Sequence, residues 1–108
     1  MTVYTSTLAH VLEHAEQAIE ALVVNHGRPA EAAQRARDEA RAACCHLRAA
    51  LEGYPLPAPA AALLELDAAL AALRDRKPQA AIERLGYAVN GLREEVRTQA
   101  GVKEGAAE

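Results

Sequence analysis

At 108 residues, a quarter of them alanine and none of them Phe or Trp, with a formal net charge of −3, the chain has room for one hydrophobic core and not two. No stretch reaches the roughly eighteen apolar residues of a membrane span, and the N-terminus lacks the basic and apolar regions of a signal peptide, so a cytoplasmic location is expected. Acids and bases are interleaved and no aromatic stacking residues accompany the Arg side chains, which excludes the electrostatic footprint of a nucleic-acid binder.

The first helix is predicted over about 5–25. Hydroxyl side chains at Thr5 to Thr7 can cap its free N–H groups. Leu8, Leu12, Ala15, Ile19 and Leu22 alternate steps of four and three and form its buried seam. Pro29 suits the first turn of a second helix, over about 28–52, because its missing N–H would be unpaired there anyway. The seam of that helix is Ala33, Ala36, Ala40, Ala43, Cys44, Leu47 and Leu51, so its first half is lined by alanine alone. Glu13, Glu16 and Glu20 make the first helix acidic and five Arg make the second slightly basic, so their flanks are expected to pair.

Gly53-Tyr54-Pro55-Leu56-Pro57-Ala58-Pro59 sets three prolines at alternate positions and predicts a non-helical, semi-rigid connector. A third helix follows over about 60–75, with Leu63, Leu66, Leu70 and Leu73 in its seam. Pro78 opens a fourth, over about 78–98. Asn90-Gly91 resembles a turn, yet Ile82, Leu85, Val89, Leu92 and Val96 keep one helical phase across it, which predicts a continuous helix. Gly86 marks a point where this helix could approach another closely. The small, polar segment 101–108 reads as a flexible C-terminal tail. The two halves resemble each other, each opening its second helix with Pro. The predicted fold is all-α: an antiparallel four-helix bundle built from two αα-hairpins joined by the proline-rich connector.

Cys44-Cys45-His46 is the most unusual string. Neighbouring cysteines on a helix are too close at Cα and diverge too far in direction to bridge each other. A helical wheel puts Cys44 in the seam beside Ala40 and Leu47, Cys45 outside among Asp38, Arg41 and Arg48, and His46 on a flank. An exposed thiol beside two Arg residues is favoured as thiolate. His10 and His14 have the i, i+4 relation that lets two imidazoles meet one ion. A hairpin turning near residue 27 brings His10 level with Cys44 and His46. Cys44, Cys45, His46, His10 and His14 are therefore the candidate ligands of a zinc or copper ion. The wheel turns His10 and Cys45 away from their seams, so convergence would need a second subunit or a soft-metal guest.

Catalysis is not expected. No Glu precedes a His by three residues as a di-iron bundle requires, no Cys-x-x-Cys-His run could attach haem, and no glycine loop could cradle phosphate. Ser6, the single serine, reads as a helix cap and not a nucleophile. Tyr54 could pack on the bundle end or present a recognition surface. With 13 Leu, 7 Val and 2 Ile to fill it, the core is lean, and self-association would supply cover. The function expected is that of a small non-catalytic interaction or regulatory protein acting as a homodimer through its helix faces. A metal- or redox-responsive protein is the alternative.

Overall fold

The computed structural model describes residues 3–24, 27–53 and 55–107, with side chains described through Gln99. It contains α1 (Val3–Val23), α2 (Pro29–Gly53), α3 (Pro57–Arg74) and α4 (Pro78–Ala107), and no strand among the described residues. Each helix packs on its neighbours in sequence and α4 returns onto α1, so the order around the bundle is the order along the chain. Cross-sectional extents of 24 and 18 Å correspond to two layers of two helices. The two hairpins and their collapse into a four-helix bundle are as the periodicity predicts.

Several boundaries differ, each for a local reason. Thr5, Ser6 and Thr7 lie inside α1 and not at its start, and Thr7 donates its hydroxyl to the Val3 carbonyl at 2.9 Å, a bond back along the helix. The connector is shorter than expected. Leu56 is extended (φ −95°, ψ 149°), as a residue before proline must be, but Pro57 and Pro59 both fall in the first turn of α3, where no backbone donor is needed. α4 runs unbroken through Asn90-Gly91 and continues past the expected end at Thr98 to Ala107. Asn25 and Tyr54, and the tail residue Glu108, lie outside the described residues.

The core differs from the drawn seams in a regular way. The innermost positions are often alanine: Ala15 and Ala18 in α1, Ala36, Ala40 and Ala43 in α2, Ala62 and Ala69 in α3, Ala81 and Ala88 in α4, all at most 3% exposed. Leu8, Val11, Leu47, Leu66, Leu85 and Leu92 complete this interior. The larger residues assigned to the seams, Leu12, Ile19, Leu51, Leu63, Leu70, Ile82 and Val96, stand on its flanks and are partly buried. Small side chains lie where helix surfaces come closest, and long ones reach in from the sides.

Each of the four helix–helix seams carries at least one polar bridge. His14 meets Glu39 between α1 and α2 at 2.7 Å, Arg48 meets Asp67 between α2 and α3 at 3.0 Å, Arg84 meets Glu65 between α3 and α4 at 3.2 Å, and Arg93 meets Glu16 between α4 and α1 at 3.3 Å. The expected pairing of α1 acids with α2 arginines is thus replaced by a ring in which Glu16 turns to α4. These pairs are half exposed and contribute little energy, about 0–1 kcal/mol each, but they discriminate this helix order from others.

At the turn between α3 and α4 the chain closes a Schellman motif. Lys77 N–H donates to the Ala72 carbonyl at 2.8 Å and Arg76 N–H to the Leu73 carbonyl at 3.1 Å. The residue at the left-handed position of that motif is Arg76, at φ 60°, where glycine is usual. The first turn instead places Gly27 in the left-handed region, at φ 76°. Gly86 has no such role: a Cβ built on it, or on Gly91, meets nothing within 4 Å, so no close approach inside the bundle requires either glycine.

Candidate functional site

The cysteine and histidine candidates separate into distinct environments. Cys44 is 2% exposed, and its thiol donates to Asp67 Oδ1 at 3.6 Å, the same oxygen that accepts from Arg48 Nη2. Burial, and then the neighbouring carboxylate, push the Cys44 thiol from its ordinary 9.0 up to about 12. It is a protonated core group at neutral pH, a small hydrophobe with one weak bond to make. Cys45 is exposed, as the wheel predicts, and both thiols are free.

His14 and His46 are brought together, and His10 stays exposed. Their rings stack with centroids 5.5 Å apart and planes 7° from parallel. Imidazole lone pairs lie in the ring plane, so two parallel stacked rings do not aim at one point about 2 Å from both. The Nδ1 of His14 is already engaged with Glu39. Among the described residues no three His, Cys, Asp or Glu side chains gather into a group that could hold a metal ion. The pair acts as a cap over the α1–α2 seam, with Glu39 fixing the orientation of one ring.

Tyr4, at 4% exposure, sits under the far end of α4, where its hydroxyl donates to Glu95 Oε1 over a long 3.4 Å. Burial first, and then the Glu95 charge, raise its phenol from 10.0 to about 12. Gln99 donates to the same Glu95 oxygen at 2.9 Å. The group is structural: it ties the start of α1 to the last part of α4.

The feature that reading along the chain misses lies at the end of the bundle holding the two hairpin turns. A cavity of about 710 Å³ opens between the start of α2 and the α3–α4 turn. Its floor is apolar, with Leu22, Leu73 and several alanines and prolines. Arg37, Arg74, Arg76 and Lys77 also line it, and no acid does among the described residues. None of the four makes an ion pair among the described residues. Arg37 donates from Nη2 to Gln34 at 2.6 Å, while its Nε is buried with no acceptor. A second, more open hollow of about 560 Å³ beside α1 has mixed walls, with Glu20 and Glu31 facing Arg28 and Arg35. The cations of the basic cavity are contributed by separate segments, each nearly balanced in charge, so the only local sequence signal for it is the run Arg74-Asp75-Arg76-Lys77 at a helix break.

Fold and side-chain geometry together define a small antiparallel four-helix bundle whose thiol and imidazole groups are buried, bonded or apart. No helix among the described residues is long and apolar enough to cross a membrane. No protein-family model matches the chain, and no curated protein or solved structure matches it.

Proposed function

We propose that the chain is a non-catalytic helical interaction or regulatory protein of the cytoplasm, acting through its outer helix faces, with a second copy of itself as the first partner. The observation that supports this reading is the outer surface of the second hairpin. Leu64 on α3 is 71% exposed and Tyr87 on α4 is 56% exposed, the most exposed large apolar and aromatic side chains of the hairpin among the described residues. Gly86 and Gly91 lie on the same stretch of α4 and serve no packing need inside the bundle. A glycine within a helix costs about 0.5–1 kcal/mol relative to alanine, so these two weaken the fold while leaving room for an outside helix to come close. The alanine-lined core points the same way, because a monomer this lean gains from burying more apolar surface.

Sedimentation velocity on the intact chain tests the reading. The expected result is a dimer in the micromolar range that Leu64→Glu combined with Tyr87→Glu converts to monomer, with helical circular dichroism unchanged. A monomer persisting at several hundred micromolar would refute self-association. The metal- or redox-responsive alternative rests on the nearness of His14 and His46, whose stacked rings would have to turn before both could ligate one ion. It predicts stoichiometric Zn(II) or Cu(I) uptake that is lost in Cys44→Ala/Cys45→Ala, and no uptake above buffer competition would dispose of it.

A further inference from the structure

We infer that the cavity at the turn end of the bundle is a binding site for a small organic phosphate, its anion held by Arg37, Arg74, Arg76 and Lys77 and its apolar body resting on Leu22 and Leu73. This site is separate from the outer face of α3 and α4, and the inference stands whether or not the chain dimerises.

Three observations converge on it. The first is charge. A chain of net −3 concentrates four cations and no acid in the described lining of one opening, and none of the four forms an ion pair among the described residues. Like charges gathered without a counter-charge repel one another, a cost that an anion in their midst removes. Arg is suited to the task, since its planar fork meets phosphate oxygens two at a time.

The second is unsatisfied or strained chemistry at the same opening. Arg37 Nε is a buried donor with no acceptor, and a buried donor left unmade is costly. Its fork is anchored at one corner by Gln34, so a small turn of the guanidinium toward the cavity gives the free N–H an acceptor on the ligand. Arg76 occupies the left-handed position of the Schellman turn, which glycine would fill without strain. The fold gains nothing from an arginine there, and the lip of the cavity gains a cation.

The third is shape. About 710 Å³ falls within the range of small-molecule pockets, roughly 300–1,000 Å³. The floor offers Leu22, Leu73, alanine and proline side chains, and among the described residues no polar side chain except the cations lines it to bind a sugar or a base. That excludes bare inorganic phosphate as the best-fitting occupant, because the ion would leave the apolar floor uncovered, and it favours a hydrocarbon body beneath the anion.

The test is an NMR titration of the intact chain with phenyl phosphate and, separately, with inorganic phosphate at low ionic strength. Phenyl phosphate is expected to shift the resonances of Ala30, Ala33 and Leu73 saturably and to bind about ten-fold or more tightly than inorganic phosphate, the surplus coming from burial of the ring. The variant Arg74→Ala/Arg76→Ala/Lys77→Ala should weaken phenyl phosphate by about ten-fold or more, while Arg84→Ala/Arg93→Ala/Arg97→Ala removes the same charge elsewhere and should change it by less than about two-fold. All six positions are exposed, so both variants keep the core intact, which circular dichroism checks. No saturable shift, shifts mapping away from the cavity, equal losses in the two variants, or equal affinity for the two phosphates would each overturn the inference.

Discussion

Replacing Arg76 by glycine should make this protein more stable, although it deletes a long side chain and adds backbone freedom. Arg76 is at φ 60°, its N–H bonded to the Leu73 carbonyl and the next N–H bonded to Ala72, so the left-handed conformation is enforced by the helix terminus and cannot relax away. Holding an L-residue there costs about 1–2 kcal/mol, which glycine avoids. Glycine in turn gains about 0.4–1 kcal/mol of entropy in the unfolded chain, leaving a net stabilisation of about 0.5–1 kcal/mol. For a domain of this size that is a rise in melting temperature of about 2–8 °C. Arg76→Ala is the necessary control: it removes the same charge from beside Arg74 and Lys77 but keeps the Cβ. Urea unfolding followed by circular dichroism should rank Arg76→Gly above both Arg76→Ala and the parent chain. If glycine is the least stable of the three, the turn is not the Schellman motif described here, and the strain argument for the cationic lip fails with it.

Thiol reactivity should divide cleanly. An aryl disulfide reagent at pH about 8 is expected to consume Cys45 at once and to reach Cys44 only on unfolding, because the latter is buried and protonated; simultaneous release of two equivalents would contradict that placement. Stability should fall in alkali. Cys44 and Tyr4 both hold their protons more tightly folded than unfolded, so their contribution is complete below pH 9.0, declines between 9.0 and about 12 for the thiol and between 10.0 and about 12 for the phenol, and the decline is shallower in Cys44→Ala; a slope unchanged by that substitution would remove the thiol from the account. In the core, Leu66→Ala at a fully buried position should cost about 2–5 kcal/mol and Leu63→Ala on the flank clearly less, and denaturant midpoints in the reverse order would show that the interior is drawn wrongly.

Helix number, the two hairpins and the unbroken α4 are legible in the sequence because each rests on periodicity sustained over several turns. Cys44 inward and Cys45 outward follow from the same wheel. What periodicity hides is the rotation of each helix within the bundle. Weighing Leu12, Ile19 and Ile82 above Val11, Ala18 and Ala81 drew the seams toward the larger residues, whereas the closest helix contacts need the smaller ones. Proline misleads for a similar reason: Pro57 and Pro59 stop a helix behind them but not one that begins with them. The basic cavity was the least legible feature. Arg37 is separated from Arg74 by more than thirty residues of sequence, and only the closing of both hairpins at one end of the bundle puts the two in the same wall.

Where two alanines meet in this interior there are no rotamers to exchange. A leucine contact can absorb a bump by turning a side chain; an alanine contact can yield only by moving the helix. Substitution is also one-directional along that axis, since a larger residue at Ala40 or Ala69 has no room and a glycine loosens the helix that bears it. Along those alanine contacts helix spacing is fixed by side chains that have no rotamers, and adjustment falls to the buried leucines Leu8, Leu47, Leu66, Leu85 and Leu92.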